Sequence, residues 1–154
     1  MTAIIRLTRL LPSIRRLSFT SRSGHASQVA WSGQGAGIVT PETHTDWVRF
    51  IEQGHFLPQG QSREVAFRNV YRWDFHPEHI ALYHERRGPD AAVWLFDLVA
   101  ESATTLISKS PHLCGADTYQ ARLDLEPHGF RLEWHIAGPH KNERLVYHYR
   151  QPDD

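Results

Sequence analysis

From Tyr119 to Tyr149 apolar residues fall on every second position, in three runs broken by turn residues. Tyr119, Ala121, Leu123 and Leu125 form the first run, and Phe130, Leu132, Trp134 and Ile136 the second. Leu145, Tyr147 and Tyr149 form the third. Glu126-Pro127-His128-Gly129 and Gly138-Pro139-His140-Lys141-Asn142 separate them. A period of two puts alternate side chains on opposite faces of a strand, so this pattern requires half-buried antiparallel strands joined by hairpins.

The same pattern extends upstream. Val65, Phe67, Asn69, Tyr71, Trp73 and Phe75 share one parity, with Arg68, Arg72 and Asp74 on the other. Ile80 and Leu82, then Trp94, Phe96 and Leu98, continue it around the turns His76-Pro77-Glu78 and Arg86-Arg87-Gly88-Pro89-Asp90. Turn signals recur about every ten to fifteen residues, which predicts an all-β meander closing into an antiparallel barrel, with a sandwich as the alternative. About eight strands or slightly more would leave room for one small ligand. Gly33, Gly35 and Gly37 alternate within a strand-like run, Val29 to Val39. Glycine at every second position lets a neighbouring aromatic lie on the backbone; a phosphate loop would need a following helix.

Thr45 to Phe56 fits a helix through Trp47, Phe50 and Ile51, or a strand through Val48, Phe50 and Phe56. The strand is the preferred reading. It puts Glu52 on an apolar face, where a carboxylate must be paired or shift its pKa, and so makes it a site candidate.

At 154 residues the chain is one domain: an N-terminal arm or short helix over 1–12, a barrel over 13–150 whose first strand spans Ser13 to Ser21, and a tail over 151–154. Seventeen basic residues balance seventeen acidic ones, so no overall field favours nucleic acid or an anionic membrane. Arg15-Arg16 and Arg86-Arg87 read as solvated strand edges. The apolar stretches near the N-terminus are too short and too charged to span a bilayer. Cys114 is the single cysteine, which fits a reducing, cytoplasmic setting. No acidic residue precedes Glu42, whereas five arginines do, so an organellar leader is the alternative to a plain N-terminal helix.

His112-x-Cys114-x-x-Asp117-x-Tyr119, then Trp134, Gly138-Pro139-x-Lys141 and Tyr149, resemble a lipocalin-like (calycin-type) family of unknown function. Tyr71-x-Trp73-x-Phe75, Phe96-Asp97-Leu98 and Phe50-x-Glu52-x-Gly54 fit the same family over about Ser13 to Arg150. The resemblance implies a closed antiparallel barrel and no particular activity. Such families tend to carry Gly-x-Trp in the first strand, where this chain has Pro12-Ser13-Ile14. Trp31 or Trp47 would then plug the base.

Three functional readings follow. The first is a barrel binding a small, largely apolar or aromatic molecule. Its wall would be Tyr71, Trp73, Trp94, Phe96, Trp134 and Tyr147, and Glu52, Asn69, Tyr119 and His112 would orient the ligand. Lys141 is either solvated at its hairpin or closes over a ligand carboxylate, and Asp117 either holds a ligand polar group or a turn. The second is an enzyme, or a haem- or metal-dependent protein, using His112, Cys114 and Asp117 at the barrel mouth. The first two share a face in an extended segment, and Asp117, His135 and His84 are further candidate ligands. The bland alternative is a loop-capping His112 and a packed Cys114. The third is a filled barrel serving as an interaction module. The cofactor, if any, is not identified by the sequence, and a homodimer is compatible with it.

Overall fold

The computed structural model describes residues 1–24, 32–109 and 117–153, with residues 112–114 described as backbone alone. Among the described residues, eleven strands follow one N-terminal helix, α1 (Ala3–Leu10). They are β1 (Arg16–Ser23), β2 (Gly33–Thr43), β3 (Trp47–Pro58), β4 (Val65–Phe75), β5 (Ile80–His84), β6 (Val93–Ala100), β7 (Thr105–Ser108), β8 (His112–Cys114), β9 (Asp117–Glu126), β10 (Gly129–Gly138) and β11 (Lys141–Arg150). Each strand pairs antiparallel with its neighbour in the order β10-β11-β1-β2-β3-β4-β5-β6-β7-β9, and β9 pairs with β10 to close ten strands into a barrel. Closure removes the free edges that an open sheet of this length would expose. Strand β8 lies outside the ten, paired with the start of β9.

The alternating positions of β3, β4 and β9 to β11 turn inward as their parity predicts. Phe50, Trp73, Leu123, Phe130, Leu132 and Tyr149 are all buried. One strand departs from the expected parity. Leu82 pairs with Phe96 but Tyr83 pairs with Trp94, so Leu95 is an extra residue on β6. This bulge turns both Leu95 and Phe96 inward and leaves Trp94 exposed, its indole N–H donating to Asp97 Oδ1 at 3.0 Å. Trp94 is therefore not part of the inner wall. The first strand also begins later than expected, at Arg16.

The residues before it form a plug. Thr2 caps α1 by accepting from the Ile5 N–H, and Pro12 ends the regular helix in a 3₁₀ turn, Leu11–Ser13. Ala3, Ile4, Leu7 and Leu11 lie on one face and are buried against the barrel base, and Arg6 anchors α1 by donating to the Ala103 carbonyl. Ile14 completes the plug. Trp47, expected as a possible plug, instead sits half-exposed at the start of β3, stacked on His44 and covered by the Arg49 guanidinium. Trp31 lies outside the described residues. Within α1, no stretch is long and apolar enough to cross a membrane; strands are a separate matter.

On the outer face of β3 to β5, Glu85 is buried between two guanidiniums, with Arg49 Nε at 2.5 Å and Arg72 Nη1 at 3.1 Å. A carboxylate taken out of water needs such partners, and these tie three neighbouring strands together.

Candidate functional site

The barrel interior divides along its axis. Near the plug, Phe50, Trp73, Phe130 and Tyr149 form a continuous aromatic cluster, with ring centroids 4.8–5.8 Å apart. Aliphatic side chains from β5 to β10 fill the space around it. This half is close-packed core, and Trp73, expected in the ligand wall, belongs to it. Its indole N–H is buried without a partner among the described residues.

Glu52 stands at the boundary. Strand β3 does run through it, with Asn69 opposite on β4 and Val39 opposite on β2, and the side chain is fully buried. Tyr149 reaches across and donates to Glu52 Oε2 at 2.7 Å, while Oε1 has no partner among the described residues. Burial pushes the carboxyl up to about 8, the tyrosine hydrogen bond opposing only part of that change. At neutral pH Glu52 therefore holds its proton, and Oε1 is free to act as donor or acceptor. The same burial holds the Tyr71, Tyr147 and Tyr149 hydroxyls in their neutral form, with the nearby Glu52 adding to the effect.

Beyond Glu52 the packing opens into a cup of about 190 Å³, lined by Tyr71, His84, Tyr119, Trp134, Leu145 and Tyr147, with Leu95 and Ile136. Tyr71 stacks on His84 at 4.7 Å and meets Trp134 edge-on at 5.7 Å. The hydroxyls of Tyr71 and Tyr147 are joined by a side-chain hydrogen bond. Two lining groups, Trp134 Nε1 and His84 Nε2, are buried without partners among the described residues. Leaving a buried polar nitrogen unpaired costs roughly 1–3 kcal/mol, and both of these nitrogens belong to residues that line the cup. Desolvation, then the neighbouring Arg86, hold the His84 imidazole below its ordinary range and so neutral.

The cup continues into a wider vestibule of about 510 Å³ at the open end of the barrel, sharing His84 and Leu145 with it. Phe19, Phe56 and Phe67 make its apolar wall, stacked or edge-on at 5.4–5.8 Å. The glycine run of β2 is what lets them lie there. A Cβ on Gly35 would come within 2.5 Å of the Phe19 ring, so the ring rests directly on the β2 backbone. The expected use of that run, aromatic packing on bare backbone, is the one the structure adopts. Asn69 and Arg86 supply polar groups.

The remaining sequence candidates are distributed differently. Tyr119 and Trp134 are in the cup and Asn69 in the vestibule. Asp117 and Lys141 form an ion pair with each other, Nζ to Oδ2 3.6 Å, which engages the lysine expected to close over a ligand. The β8–β9 ladder sets Cys114 opposite Asp117 and His112 opposite Tyr119. The His112 and Cys114 side chains lie outside the described residues. His135 points away from the cup, its Nε2 3.0 Å from Asn142 Oδ1. The barrel is not filled end to end, since open space remains among the rings of the cup.

Fold and cavity together define a plugged, ten-strand antiparallel barrel with an aromatic cup opening at one end. Residues 16–151 match the family of unknown function DUF6314, and the chain belongs to that family. A comparison with curated proteins finds no match.

Proposed function

We propose that this chain is a calycin-type ligand-binding barrel that holds one small, flat, partly polar molecule in the cup beyond Glu52. The observation that carries the reading is the pairing of unfilled space with unpartnered polar atoms, Trp134 Nε1 and His84 Nε2, on one aromatic wall. Ligand sites are typically concave, mostly apolar and provided with a few convergent polar groups. An engineered cavity of about 150 Å³ accepts benzene, so a cup of about 190 Å³ suits one aromatic ring, with the rest of the molecule extending into the vestibule. Ring stacking on Tyr71 and Trp134 supplies affinity, and the indole N–H, the His84 nitrogen and the tyrosine hydroxyls fix orientation.

Thermal-shift screening with a small library of heteroaromatic compounds tests this reading, run in parallel on the wild type and on Leu145→Trp. Leu145 lines both compartments, and the larger side chain occupies the space. A ligand at a hundred times its Kd adds about 2.7 kcal/mol, a rise of several degrees in Tm. The expected result is stabilisation of the wild type and none of the folded Leu145→Trp variant. Equal shifts in both, or no shift with any compound, would reject an internal site.

A further inference from the structure

The chemistry of the vestibule is lopsided. Arg86 contributes a cation to its lining, Arg68 lies on the outward parity of β4, and no carboxylate among the described residues lines it. Nearby acids are committed elsewhere. Glu85 adjoins Arg86 in sequence but is held on the outer face by Arg49 and Arg72, and Glu143 at the rim accepts from the Ser23 hydroxyl. Arg86 has no ion-pair partner among the described residues, yet is close enough to His84 to act on its ionisation. His84 in turn belongs to both compartments, so Arg86 stands beside the passage between vestibule and cup.

We propose that the ligand of this barrel is a monoanion with a flat aromatic body, the body seated in the cup and the anionic group meeting Arg86 beside His84. The inference rests on the internal-ligand reading above and adds to it the charge and the orientation of the bound molecule. A cationic ligand would meet the Arg86 guanidinium on its way in. A neutral one would leave that guanidinium to solvent, whereas a carboxylate or sulfonate forms a charge-assisted, bidentate pair with it. With the ring inward, His84, which lines both compartments, lies between the two ends of the molecule.

Two fluorescent probes of nearly the same shape separate charge from apolar fit. 8-Anilinonaphthalene-1-sulfonate carries the anion, and N-phenyl-1-naphthylamine lacks it. Titrated against the full chain, the sulfonate should bind at least tenfold more tightly. In Arg86→Gln its affinity should fall about tenfold while that of the neutral probe stays within twofold. Arg86→Lys should keep part of the preference, Arg87→Gln should change nothing, and Leu145→Trp should abolish binding of both. Equal affinities for the two probes in the wild type, or equal losses in Arg86→Gln, would overturn the anionic assignment and leave the internal site standing. Failure of both probes to bind, or undiminished binding of both by Leu145→Trp, would reject the internal site and the assignment with it.

Discussion

The two halves of the barrel interior are built from similar residues and do different things. The half next to α1 contains Phe50, Trp73, Phe130 and Tyr149, and the half next to the mouth contains Tyr71, Tyr119, Trp134 and Tyr147. In the first, a helix fills the end of the barrel and the rings touch one another on all sides. In the second no described residue plugs the end, the rings surround space, and polar atoms on them go unpaired. Residue type alone does not distinguish wall from core. The plug does, because Leu7, Leu11 and Ile14 supply the missing atoms at one end only.

The largest effect should come from the filled half. Phe130→Ala leaves a cavity that its fully buried neighbours cannot close, and should cost about 3–5 kcal/mol in urea unfolding. A loss below about 1 kcal/mol would mean that this half is no better packed than the cup.

Glu52, at the boundary, gives the next effect through pH. Its carboxyl titrates near 8 in the folded protein against about 4.5 in a free chain, so the folded state holds a proton that the unfolded state releases between those values. Stability associated with this group is complete below about pH 4.5, falls as pH rises towards 8, and levels off above it. Glu52→Gln removes that loss and should make the protein more stable than wild type at pH 9 by roughly 5 kcal/mol, a tenfold change in proton affinity being worth about 1.36 kcal/mol. Matching stability–pH profiles for the two proteins would show that the carboxyl is not held neutral.

Tyr149→Phe should cost about 1–3 kcal/mol at neutral pH, since it removes the single hydrogen bond to Glu52 and leaves both carboxyl oxygens unpartnered among the described residues. Combined with Glu52→Gln the losses should not add, which a double-mutant cycle reads directly. Gly35→Ala forces the Phe19 ring off β2 into the vestibule, for about 1–2 kcal/mol and a weakened vestibule ligand. The smallest effect belongs to the cup itself. Tyr119→Phe should leave unfolding within about 0.5 kcal/mol of wild type and act on ligand affinity instead. A larger stability loss there would place Tyr119 with the core.

Alternation makes most of this barrel legible in the sequence, including the inward path of β3 through Glu52 and the aromatic packing over the β2 glycines. Parity fails at β6, because a single extra residue, Leu95, exchanges the faces and no residue type announces it. Strand β7, four residues long, is too short to show a period. The cup is half visible. Tyr71, Tyr119 and Trp134 follow from parity, whereas His84 stands out in the sequence only as a possible metal ligand. The alternation of Ile80 and Leu82, carried one step further, turns it inward. Arg86 reads as part of an exposed turn, and its place at the vestibule depends on strands far apart in sequence. The ion pair between Asp117 and Lys141 likewise joins two strands that flank a third, a proximity that hairpin spacing does not reveal.

Nitrogen-15 labelling resolves the central claim most directly, by following the tryptophan indole N–H resonances while N-phenyl-1-naphthylamine is titrated in. Assignment by single Trp→Phe substitutions separates the cup residue from the others. The account predicts that the Trp134 signal moves furthest, Trp73 less, and the exposed Trp94 and half-exposed Trp47 hardly at all. Movement confined to Trp94 or Trp47, with Trp134 unchanged, would put the ligand on the outside of the barrel and contradict the account.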